Sequence, residues 1–268
     1  MKYLFLNIAL ICPYNHKEIL YTLQIYFDFS GYCDMAIGIG KMMNIELPVN
    51  FNSPYKARTI TEFWDRWHIT LTRFLTKYIY IPLGGNRKGE LRTYINIFIV
   101  FFISGFWHGA GMSFIAWGIF HGIFSIVTRR FKTFVEKIPA AVNWIITFAF
   151  LNVTWVFFRA DGFRQALSIL YKTVSFRLER PSIKLLECFK IPEIEGLITH
   201  SYILKILPAI QTLGFILFSF FVIIMGKNSY EKMMQLKCSK IKTLTTAILL
   251  TFCICSFSGI STFLYFNF

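Results

Sequence analysis

Apolar residues come in long blocks separated by short basic connections, and the lengths of the blocks predict helices. The longest uncharged block, 94–128, holds 35 residues without a Lys, Arg, Asp or Glu. As one helix at 1.5 Å per residue it would reach about 52 Å, well past a bilayer core of about 30 Å. The block must therefore bend, re-enter or form two short passes. Gly105, Gly109 and Gly111 in SGFWHGAGM mark the place, which gives a broken hydrophobic hairpin with His108 deep in the protein near the turning point. Further spans are expected over 18–43, 141–158, 202–226 and 243–266. The stretch 1–12 is too short to cross and reads as a ragged first helix.

Between these blocks one segment has a different period. ELPVNFNSPYKART carries two prolines and cannot continue a helix. Thr59 with Glu62 three residues on then forms a capping-box signature. Phe63, Trp67, Leu71, Phe74 and Tyr78 follow on one helical side and Arg66, Arg73 and Lys77 on another. An amphipathic, basic, aromatic helix over 59–80, lying in the membrane interface, is the expectation. Pro82 and the LGGNRKGE turn end it.

Composition sharpens this picture. Hydrophobic residues make up 55% of the chain and charged residues 16%, against about 25% charged in soluble domains. An all-α integral membrane protein follows, a single membrane domain over 1–268. The net charge of +14 would suggest nucleic acid in a soluble protein, but here it is spread over the connections, which points to lipid headgroups and cytoplasmic loops. Loops 56–92, 129–137 and 227–242 hold eight, four and five Lys or Arg against three, one and one acidic residues. The positive-inside rule places them in the cytoplasm, with 159–201 and the C-terminus outside. The six cysteines lack CxxC spacing and read as small buried hydrophobes.

Ionisable groups inside apolar blocks are the candidates for chemistry. Asp28 and Asp34 lie in the block 18–43, Asp28 on one helical face with Gln24; a functional role and a structural contact between helices are the two readings for them. His108 and His68 are 40 residues apart and could face each other across a pocket. Asp65 and Trp64, three and four residues before His68, are both placed to orient its ring. A base with an orienting acid can activate a hydroxyl toward an acyl carbon. No G-x-S-x-G elbow is present, so the hydroxyl would be the substrate's own. No HxH or HxxxH pair supports a metal site. His121, in WGIFHG, is expected to be structural, and Trp117 lines a channel or fills the core.

At these residues the chain resembles a known family. QIYFDFSGYCDMAIG, LPVNFNSPYKARTITEFWDRWHITLTRFLTKYIYIPLGGNRKG, FWHGAGMSFIAWGIFHG and TWVFFRADGFRQAL are similar to the membrane-bound O-acyltransferase (MBOAT) superfamily, and within it to the alginate O-acetyltransferase group of bacteria. The resemblance implies a multi-helix bundle around a tunnel, His108 of the WHG motif as the catalytic histidine and His68 of RWH as a second active-site position. It also implies an acetyl group drawn from a cytoplasmic donor such as acetyl-CoA, with no resident cofactor, and passed to an exported polysaccharide or to an acetyltransferase partner outside a bacterial inner membrane. Trp107, Asn86 or glycine backbone would supply oxyanion donors. Members of the group have several helices before QIYFDFSGY, so an N-terminal half is expected to be lacking here. Two rival readings remain: an acyl conduit or scaffold serving an external transferase, and an inactive remnant of the enzyme.

Overall fold

The structure is a computed structural model that describes residues 17–175, 201–234 and 239–255. The expectations for 1–12 and for most of 159–201 lie outside the described residues. The described residues fold as helices without a strand. Among the described residues, four helices are long and apolar enough to cross a membrane: Glu90–His108 (α4), Met112–Arg130 (α5), Ala140–Arg159 (α7) and the Leu207–Met225 part of α9, which spans Ser201–Met225. The chain is an all-α integral membrane protein. The last described helix, α11, Lys240–Cys255, is apolar as well, and its side chains over 241–251 are exposed.

Helix α1, Lys17–Met42, has no internal proline and buries Leu20, Leu23, Gln24 and Asp28. Its end is set by Asn44, held at φ 59°, a left-handed residue past the C-cap. Ile45 N–H donates to Gly40 O at 2.7 Å and Asn44 N–H to Lys41 O at 3.1 Å, the paired bonds of a Schellman motif.

The single helix expected over 59–80 is in fact three pieces, α2 (Ile60–Arg66), α3 (Ile69–Leu75) and a π-helical turn (Thr76–Tyr80). Its start follows the cap signature: Thr59 Oγ1 accepts from Glu62 N–H at 3.2 Å, while Glu62 Oε2 reaches back to Arg58 N–H at 2.7 Å. The break comes from a partner distant in sequence. Phe51 bridges to Trp67, Asn52 N–H donates to Arg66 O at 2.9 Å, and Ile69 N–H donates to Asn50 O at 3.1 Å. Asn50 Oδ1 also accepts from Thr70 Oγ1 at 2.6 Å. These bonds replace the helical ones around His68, so the aromatic stripe divides. Phe63 and Trp67 are core residues, whereas Phe74 and Tyr78 are 54% and 57% exposed.

Helices α4 and α5 form an antiparallel hairpin whose break falls at Gly109–Gly111. Short α6 (Lys132–Val135) leads to α7, which packs on α1 and α5 and is followed by α8, Phe163–Val174. Helix α9 docks on the Pro54–Lys56 turn, where Lys56 Nζ donates to Gly226 O at 2.7 Å just past the helix end, a cation at the negative end of the dipole. Helix α10, Ser229–Met234, follows. The core between α1, α2, α5 and α7 is largely aromatic, built on Tyr55, Phe63, Trp67, Trp117, Trp155 and Phe157. Tyr55–Phe63, Phe63–Trp67 and Trp117–Trp155 stack, and such pairs add about 0.5–1.5 kcal/mol each beyond burial.

Candidate functional site

His108 is the last residue of α4, next to the glycine break. It is half-buried, and its ring packs against Trp107 (4.8 Å between centroids), Trp117 (5.3 Å) and Phe158 (5.0 Å). Measured from Tyr94, the first residue of the uncharged run, it lies about 21 Å along the helix. That is past the middle of a bilayer core of about 30 Å, so His108 stands nearer the face opposite the basic loops.

His68 is held at φ 45°, ψ 52°, an uncommon left-handed conformation for a side chain of this size. That turn carries its ring out of the α2 stripe and edge-on against Phe29 at 4.9 Å. The structure brings His68 and His108 close enough for their rings to interact electrostatically. Trp155 stands between their neighbours, 5.2 Å from Trp67 and 5.4 Å from Phe158. Neither residue expected to orient His68 does so: Trp64 bonds elsewhere, Asp65 is exposed, and His68 Nδ1 is buried without a partner.

Burial lowers the His68 pKa from 6.5 to about 4. The neutral ring is thus the folded form. Below pH 6.5 the unfolded chain takes up the proton first, so stability holds above that pH and declines as pH falls toward 4, by about 3 kcal/mol in all. His68→Asn, which tolerates the left-handed backbone, is expected to flatten this decline in thermal melts of the detergent-solubilised chain at pH 7 and pH 4.5. An unchanged slope would place the acid sensitivity elsewhere.

The remaining candidates are dispersed. Asp28 is buried in α1, and Asp34 is on the exposed part of that helix. Trp107 neighbours His108, but the residue is 57% exposed. Asn86 is exposed in the turn before α4, and the whole helix, about 27 Å at 1.5 Å per residue, separates it from His108. It cannot be an oxyanion donor there.

Asp65 lines a groove of about 620 Å³ between α2–α3 and the hairpin. Arg129, Lys132 and Glu136 stand at the end nearest the basic loops, and Leu71, Val100 and Phe101 form apolar walls. Ser104 also lines it, four residues or about 6 Å of helix before His108. Ser125 Oγ, also on the wall, is buried without a partner. Sequence patterns gave no sign of this groove, because its walls come from six elements, α2, α3, the π turn, α4, α5 and α6.

Between groove and His108 stand two tryptophans. Trp64 lines the groove, its ring lies 5.8 Å from Trp117, and Trp117 touches His108.

The motifs in this region agree with a family model. That of the MBOAT, membrane-bound O-acyltransferase family, matches residues 3–163. The chain belongs to this family. Over 263 residues it is 45% identical to the peptidoglycan O-acetyltransferase of Helicobacter pylori, covering 92% of this chain and 48% of that protein. The probable alginate O-acetylase AlgI of Pseudomonas aeruginosa is 45% identical over 159 residues, 58% of this chain and 30% of the relative. The teichoic acid D-alanyltransferase of Bacillus subtilis is 27% identical over 187 residues, 61% of this chain and 46% of the relative. The chain thus spans about half the length, or less, of the curated relatives it matches. His68, His108 and the groove's lining residues all lie within the MBOAT match.

Proposed function

We propose that this chain carries the acyl-transfer centre of a membrane O-acyltransferase that acetylates a bacterial cell-envelope polysaccharide, with His108 as base. The observation that carries this reading is the position of His108: a half-buried ring at a helix break, one turn beyond the end of a groove that starts among basic loops. Acetyl-CoA, from the cytoplasmic side, is the donor that suits the groove. Arg129 and Lys132 offer cations to its phosphates, and the unpartnered Ser125 hydroxyl offers a polar contact inside.

In the proposed step His108 takes the proton of an acceptor hydroxyl as that oxygen attacks the thioester carbonyl. The C–S bond breaks, an ester C–O bond forms, and the imidazolium returns the proton to the leaving thiolate. Neutral His68, within electrostatic range, assists without adding positive charge beside the imidazolium. The acceptor is a sugar hydroxyl approaching from the opposite face, directly or through an external acetyltransferase partner, and the setting is the bacterial inner membrane. The names of the relatives, which span peptidoglycan, alginate and teichoic acid, support a polymer acceptor.

The test is acetyl content of the envelope polysaccharide in a deletion strain complemented with this chain alone. Restored acetylation is the expected outcome. No restoration, from a chain that accumulates in the membrane, would make it a remnant or one part of a larger catalyst.

A further inference from the structure

His121 is fully buried and ties together helices that the acyl-transfer step does not call on directly. Trp64 Nε1–H donates to its Nδ1 at 3.3 Å, and its Nε2 lies 3.1 Å from Thr154 Oγ1. The Thr154 hydroxyl spends its own proton on Leu151 O at 3.0 Å. Nδ1 must therefore be the acceptor and Nε2–H the donor, one neutral tautomer with both nitrogens satisfied. The ring also packs on Trp117 at 4.7 Å and on Trp64 at 5.2 Å. One residue of α5 thereby fixes a side chain from α2 and one from its own helix against α7. Those two side chains are the tryptophans that stand between the groove and His108.

We infer that His121 is a positioning residue that latches Trp64 and Trp117 as a fixed wall beside the path from the donor groove to the His108 ring. This rests on the proposed acyl-transfer reading. A fixed wall is useful there because the thioester must reach His108 past Ser104 while water is kept out, and water beside the base would hydrolyse it before the acceptor could take the acetyl group. A buried, fully bonded histidine suits a fixed wall, since breaking either bond leaves an unsatisfied polar group in the core.

The test uses the full chain in nanodiscs with acetyl-CoA as donor and an oligosaccharide as acceptor. His121→Phe keeps a ring but neither hydrogen bond. It is expected to lower transfer tenfold or more, and to raise the CoA released per acetyl transferred. Thr154→Val, which leaves the Trp64 bond in place, should move both readouts the same way by less. Trp64→Phe should match His121→Phe, and the double variant should be little worse than either single one, because both remove the same bond. Acrylamide quenching of tryptophan emission needs no turnover and should rise in His121→Phe.

An unchanged ratio of release to transfer in His121→Phe and Thr154→Val, or fully additive effects in the double variant, would overturn the inference while leaving the acyl-transfer reading intact. If the unmodified chain transfers nothing, that reading fails first. Quenching then decides the wall on its own, and no change in it removes the latch. Should His121→Phe fail to fold, Thr154→Val carries the test.

Discussion

Replacing His108 by Ala is expected to lower acetyl transfer by roughly 10²- to 10⁴-fold, the usual contribution of a positioned general base, while the chain still inserts in the membrane. The expectation rests on where the ring stands. His108 is at the end of α4, wrapped by Trp107, Trp117 and Phe158 on three sides but not sealed. Truncation leaves a small void beside the glycine break, not in the middle of the hairpin, so insertion and helix pairing should survive. His108→Gln separates a base from a merely polar wall. Glutamine keeps hydrogen-bonding capacity and most of the volume but cannot take up a proton near neutral pH. The enzyme reading expects Gln and Ala to be nearly equally inactive in a complementation assay of polysaccharide acetylation. Function retained in His108→Gln would favour an acyl conduit, and function retained in His108→Ala would remove His108 from the mechanism.

The spans of the hairpin, α7 and α9 were legible because their signal is local, whereas the expected spans over 18–43 and 243–266 are not among the described helices long and apolar enough to cross. Runs of apolar residues bounded by charge need only the bilayer thickness to be read, and the break at Gly109–Gly111 followed from a run too long for one crossing. The π turn and the interruption at His68 were not legible. Helical periodicity continues through Trp67 and His68, and only pairing with Asn50–Asn52, some sixteen residues earlier, stops the helix. The same turn explains why the spacing of Asp65 and Trp64 misled. On an unbroken helix both would face His68, but the left-handed residue sends that ring to Phe29 and leaves Trp64 for His121. That His121 is buried fits its apolar setting in the sequence. Its partners were not legible there, since Trp64 and Thr154 lie 57 and 33 residues away and meet it only in the packed bundle.

Gly118→Val is expected to dismantle the hairpin that carries His108. Helices α4 and α5 approach so closely at Gly105 and Gly118 that each glycine faces the other's backbone. A Cβ on Gly105 would sit 2.5 Å from Phe114 O and 3.2 Å from Gly118 Cα, and one on Gly118 would strike Phe101 O and come within 3.1 Å of Gly105 Cα. The obstacles are backbone atoms of a neighbouring helix, so no rotamer change can relieve the clash. Small residues at such crossings let membrane helices pack where lipid offers no hydrophobic drive. Gly118→Ala is therefore expected to cost roughly 1–3 kcal/mol as overpacking, and Gly118→Val enough that little folded chain accumulates in detergent. Gly38→Ala is the control: it lies in α1 with nothing within 4 Å of the added carbon, and should be neutral or stabilising by up to about 1 kcal/mol. Thermal melts in detergent of the two alanine variants measure the difference. Gly105 lies three residues before His108 on the same helix, so Gly105→Ala should also lose transfer activity out of proportion to its melting temperature, because separating the helices draws His108 away from Trp117. A Gly118→Ala chain as stable as Gly38→Ala would mean that the helices pair elsewhere than at this crossing.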